Sequence, residues 1–173
     1  SPNFTPDCTG SKMDVLCSCT INEECLSGTC FSSPKAGKYC LQSSGTLFPR
    51  FILKDQFGED IDIYDFGNQG KFIIIEMSAS WCKPCKELSD WISNDAPNVT
   101  GNRWWKKEYN IIRDLIDQER IYFINILLQD IYKEPATLGA LEDWYQMYSD
   151  EKVPILADSD YHVGNWMRFL GFP

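Results

Sequence analysis

Two cysteines separated by two residues, Cys82 and Cys85, stand in the stretch Ser80-Trp81-Cys82-Lys83-Pro84-Cys85-Lys86. At this spacing two thiols can close a small disulfide ring, so that one thiolate attacks a substrate disulfide and the other resolves the mixed disulfide. Cys82, next to Trp81 and nearer the start of the helix expected here, is the candidate nucleophile. Cys85, one turn deeper, is the candidate resolving thiol. Unpaired N–H groups at a helix start favour a thiolate, and Lys83 and Lys86 add positive charge. The same spacing also serves a structural disulfide or half of a metal site. A zinc site needs two further ligands, yet the other six cysteines cluster near the N-terminus and the single histidine is His162.

Elements on either side must hold this pair. Before it runs Phe72-Ile73-Ile74-Ile75-Glu76-Met77, rich in β-branched residues and preceded by Gly70, which reads as a strand buried on both faces. After it, Leu88, Trp91 and Ile92 recur at helical spacing. Glu76 is the anomaly of the strand. A desolvated carboxyl has a raised pKa and can carry a proton, whereas a strand-end glutamate facing solvent does neither.

Further along, Asp95 to Asn102 has loop composition, and a helix is expected from about Arg103 to Glu119 with Ile111, Ile112, Leu115 and Ile116 on its buried stripe. Trp104 and Trp105 at its start either pack under the loop or anchor a partner. Ile121 to Leu128 reads as a second buried strand. Thr137 is a plausible N-cap for a helix carrying Leu138, Leu141, Trp144, Tyr145 and Tyr148. Val153 to Ala157 is a short extended segment, and Tyr161 to Phe169 a last helix. Strand alternating with helix predicts an α/β domain with a mainly parallel sheet and helices on both faces.

Trp81-Cys82-x-Pro84-Cys85 after an apolar strand resembles the active site of the thioredoxin superfamily. The stretch Phe51 to Ile61 followed by Ile63-Tyr64-Asp65-Phe66 resembles the N-terminal β-hairpin of its TlpA-like/redoxin branch of extracytoplasmic thiol-disulfide oxidoreductases. Val153 to Asp158 and Leu170-Gly171-Phe172-Pro173 resemble the segment leading to that family's active-site cis-proline. The resemblance spans about residues 46 to 173. It implies a thioredoxin-like fold and a site made of Cys82, Cys85, Trp81 and Pro84. Pro173 is favoured over Pro154 as the cis-proline. Glu76, six residues before Cys82, matches the position of the buried aspartate of thioredoxins, which implies a role in deprotonating Cys85. Glutamate for aspartate is a departure from that pattern. The sequence stops at Pro173, before the family's C-terminal hairpin and helix: either the domain is incomplete here and the natural chain continues, or the sheet keeps a bare edge for another chain to cover.

The first forty residues differ in kind. Cys8, Cys17, Cys19, Cys25, Cys30 and Cys40 lie among Gly, Ser, Thr, Pro and Asn with hardly any apolar periodicity. Such a segment needs staples, and three structural disulfides are expected, with fifteen pairings open. A zinc knuckle is the competing reading. The expected division is a disulfide-stapled module over 1–44 and a thioredoxin-like domain over 45–173, with Ser43-Ser44-Gly45-Thr46 as linker. Disulfides persist in the periplasm or outside the cell. With no signal peptide before Ser1, the chain reads as a mature exported form. Asn3-Phe4-Thr5 and Asn98-Val99-Thr100 are glycosylation sequons, meaningful in a eukaryotic host.

The 173 residues are 43% hydrophobic, ample for a packed core. A net charge of −9 argues against nucleic acid or an anionic membrane as partner. No apolar run is long enough to span a bilayer. The expected partners are protein thiols or disulfides and a redox protein that exchanges electrons with the pair. No cofactor is implied. The alternative from another class is a non-catalytic component of an extracellular or periplasmic assembly, marked by a buried or inert Cys82–Cys85 pair.

Overall fold

The computed structural model describes residues 5–33 and 37–167. In the cysteine-rich segment the bonds run Cys8–Cys17, Cys19–Cys30 and Cys25–Cys40. They staple an antiparallel ribbon of β1 (Cys30–Ser33) and β2 (Gly37–Cys40). The sulfurs of Cys19, Cys25 and Cys40 lie within 4.8 Å of one another, but each is committed to a disulfide and offers no thiolate to zinc. The segment is also docked. Val15 is buried, and Leu16 packs beside it, in one cluster with Phe51, Leu53 and Trp166.

The expected hairpin forms from β3 (Ile52–Asp55) and β4 (Asp60–Asp62). Its turn is tied by Asp55, whose Oδ1 accepts the N–H groups of Phe57 and Glu59, and Gly58 supplies a φ of +81°. Then come β5 (Phe72–Ala79), α1 (Lys83–Asn94), α2 (Ile111–Asp117), β6 (Ile121–Gln129), α3 (Leu138–Met147), β7 (Ile155–Ala157) and α4 (His162–Met167).

The five strands lie in the order β4-β3-β7-β6-β5. β5, β6 and β7 are parallel, while the hairpin joins antiparallel through β3 and β7. The sheet is therefore mixed, parallel where helices make the crossovers and antiparallel where a tight turn does. Among the described residues β5 pairs on one side only, and Phe72 at its start is 82% exposed.

Side chains alternate across the sheet. One face carries Ile74, Phe123, Leu127 and Ile155 against α1, α2 and α3. The other carries Ile75, Met77, Ile124, Ile126 and Leu156 against α4, the hairpin and Val15. Helices thus cover both faces, as the α/β pattern required. Among the described residues no helix is long and apolar enough to cross a membrane.

The helix expected from Arg103 is shorter than the pattern suggested. Lys106 is extended, a 3₁₀ turn spans Lys107–Asn110, and the α-helix starts only at Ile111, which is 56% exposed. The cause is Trp105. Its ring meets Trp91 of α1 edge-on at 4.7 Å, and folding Trp104 and Trp105 onto that cluster pulls the chain out of helical geometry. Both tryptophans are half-buried, so packing rather than display is their use.

Candidate active site

Strand β5 delivers the chain to the Cys82–Cys85 pair. Its pairing with β6 shifts register at Ser78/Ala79, and Ser80 N–H still reaches the carbonyl of Gln129, so the strand end is held while the chain turns into α1. Cys82 is the N-cap of that helix, with Pro84 in its first turn, where a missing N–H costs nothing. The Cys82 sulfur accepts the N–H of Cys85 at 3.3 Å and is bonded to the Cys85 sulfur. When reduced, a Cys82 thiolate at this position would keep that N–H and the positive end of a twelve-residue helix. Lys83 contributes less than its position suggested, since its side chain is 85% exposed and its ammonium lies 3.6 Å from Glu87.

The pair is well covered. Cys82 is 3% exposed and Cys85 not at all, both packed with Leu127, Ala136, Leu141 and Trp144. Trp81 stands out at 38% exposure and marks the rim. Its indole N–H donates to Gln129 Oε1 at 2.9 Å, the Gln129 amide donates to the Tyr161 hydroxyl at 3.2 Å, and the Lys133 ammonium sits 5.3 Å from the Trp81 ring centre.

Glu76 faces the α1 side of the sheet and is buried. Its register partner on β6 is Asn125, whose amide donates to Glu76 Oε2 at 2.5 Å and also reaches the hydroxyls of Ser78 (3.1 Å) and Ser89 (3.3 Å). Burial pushes the Glu76 carboxyl up to about 7, opposed by a hydrogen bond from Ser78. Asp158 is the other buried acid near the redox end of the sheet. Burial raises it, but it accepts the N–H groups of His162 and Gly164 and so starts α4.

The structure brings Cys82, Cys85, Trp81 and Pro84 together at one helix start, with Glu76 on the strand leading into it. Pro173 lies outside the described residues. Pro154, the other proline considered, is trans, as are all described peptide bonds. Sequence reasoning passed over Asn125, Ser89 and Gln129. Asn125 had a signal of the same kind as Glu76, a lone polar residue inside the apolar run Ile121 to Leu128. Ser89 had none beyond its place four residues after Cys85.

No protein-family model matches the chain. Two curated proteins resemble parts of it. Thiol-disulfide oxidoreductase ResA of Bacillus subtilis (strain 168) is 29% identical over 86 residues, 50% of this chain and 42% of that protein. Thioredoxin H-type of Fagopyrum esculentum is 23% identical over 78 residues, 44% of this chain and 67% of that protein. The chain thus spans less than half the length of the first. Among solved structures, MTB dsbF in its mixed oxidized and reduced forms aligns with a TM-score of 0.44 at 15% identity, over 71% of this chain and 69% of that one.

Proposed function

We propose that this chain, a member of the thioredoxin superfamily, is a thiol-disulfide oxidoreductase acting on proteins outside the cytoplasm through Trp81-Cys82-Lys83-Pro84-Cys85. The observation that carries the reading is the Cys82 sulfur at the N-cap of α1, bonded to Cys85 and accepting its N–H. That is where a protein makes a thiolate.

In the reducing direction, the Cys82 thiolate attacks one sulfur of a client disulfide, forming a mixed disulfide and releasing the other client sulfur as a thiolate. Glu76 takes the Cys85 proton, the Cys85 thiolate attacks the Cys82 sulfur, and the second client sulfur leaves. The client has gained two electrons and the pair is oxidised; the oxidising direction runs the same steps backwards. A redox partner protein resets the pair. Pro84 shapes the helix start, Trp81 borders the approach to Cys82, and Pro173 keeps the cis-proline role that the family resemblance implies. The three N-terminal disulfides agree with an oxidising compartment, periplasmic or extracellular. The segment 1–44 serves as a stapled module on domain 45–173, and the β5 edge, unpaired on one side among the described residues, could take a covering chain.

The second reading, a non-catalytic component that keeps the scaffold, is favoured by one observation: Cys82 and Cys85 are 3% and 0% exposed. Equilibrating the full chain in thiol buffers and trapping free thiols separates the two. A measurable potential, near about −270 mV for a reductant or about −120 mV for an oxidant, supports the enzyme. A pair that refuses exchange in the native protein leaves the scaffold reading.

A further inference from the structure

Glu76 and Asn125 are buried register partners on β5 and β6, and their side chains meet beneath α1. The Asn125 amide nitrogen has two hydrogens and three acceptors in reach, of which Glu76 Oε2 at 2.5 Å is by far the nearest. Two oxygens in this cluster, Glu76 Oε1 and Asn125 Oδ1, have no donor among the described residues. A carboxylate held on one oxygen only is poorly compensated for its burial, and the group opposite it decides how readily it ionises.

We propose that Asn125 is a positioning residue for the proton on Glu76, its amide presenting N–H to the ionised carboxylate and, turned over, its carbonyl to the protonated acid. A carboxamide offers a donor and an acceptor from nearly the same place. Ser89 extends the arrangement to the redox helix, because its hydroxyl lies 3.3 Å from the same amide nitrogen and Cys85 stands one turn earlier on α1. Ser78 closes the cluster from β5, accepting from Asn125 at 3.1 Å and hydrogen-bonding Glu76. None of these partners titrates. Of the charged groups on the elements packed here, Lys83, Lys86, Glu87 and Asp90 on α1 and Glu142 and Asp143 on α3 are exposed or half-buried, as is Tyr148 at the end of α3. The reduced Cys85 thiol is the titrating group to which the proposed function links Glu76. This inference rests on the redox reading above.

The test is the pH dependence of the two thiolate releases when the reduced full chain reacts with Ellman's reagent. The first release reports attack by Cys82, the second resolution by Cys85. In Asn125→Leu the carboxylate loses its nearest donor and keeps only Ser78, so the Glu76 inflection in the second phase should move up by about one to two pH units, a hydrogen bond to a charged group being of that size. The first phase should stay put. In a Glu76→Gln background, the inflection is absent and Asn125→Leu adds no shift. Asn125→Ser, which is too short to reach the carboxylate, should shift the inflection in the same direction if the leucine variant does not fold. An unmoved inflection with full thiolate release overturns the role of Asn125 alone, as does an equal change in both backgrounds. No release from the wild-type protein overturns the redox reading and this one with it.

Discussion

Glu76→Gln should change how stability depends on pH, by an amount that follows from its burial. The folded-state pKa is about 7 against an ordinary 4.5. Between those values the native protein holds a proton that the unfolded chain has lost, so the unfolding free energy falls as pH rises. The loss starts near pH 4.5 and is complete above about pH 8. At 1.36 kcal/mol per pH unit, a displacement of about 2.5 gives about 3 kcal/mol. Glutamine keeps the shape and an acceptor for the Asn125 amide but cannot ionise. The assay is urea unfolding of both oxidised proteins at pH 5, 6, 7 and 8, read as the difference between them. His162 and the surface carboxylates cancel in that difference. Glu76→Gln should gain about 2.5 kcal/mol on wild type between pH 5 and pH 8, the rest of the loss falling below pH 5. Parallel curves would refute the reasoning, because a carboxyl that ionises freely at pH 7 costs nothing to bury.

Other outcomes follow from single contacts. Cys82→Ser should abolish exchange with a protein disulfide, while Cys85→Ser should trap a mixed disulfide through Cys82, visible as a mass adduct released by reductant. Trp144, 1% exposed and packed with Leu141 and the redox disulfide, should cost about 3–5 kcal/mol when cut to alanine, read by denaturant unfolding. Replacing Cys25 and Cys40 together by alanine opens a loop of sequence separation 15. The loss should be about 3 kcal/mol by the same measurement, with β1 and β2 losing amide protection first.

The sequence alone determined much of the candidate site. A β-branched run, two cysteines at a two-residue spacing and a helical stripe after them are local signals, and local propensity decided them: strand β5, the Cys82 cap and helix α1 stand where the pattern puts them. The Thr137 cap of α3 was legible for the same reason, whereas the hairpin before β5 was implied by the family resemblance. Only tertiary structure decided the rest. Which cysteines pair depends on which ends of the ribbon meet, and spacing leaves that open. Where α2 begins was decided by Trp105 turning onto Trp91, a contact between residues far apart in helical register. The docking of the N-terminal module had no sequence signal, yet Val15 completes the core on the face away from α1, because a short apolar residue has no signature until the surface it covers exists. Whether Glu76 faced solvent or the core could not be read from β5 by itself. Its partner is Asn125 on β6, brought opposite by the parallel register, and only that pairing makes a lone carboxyl in an apolar strand into a buried proton site.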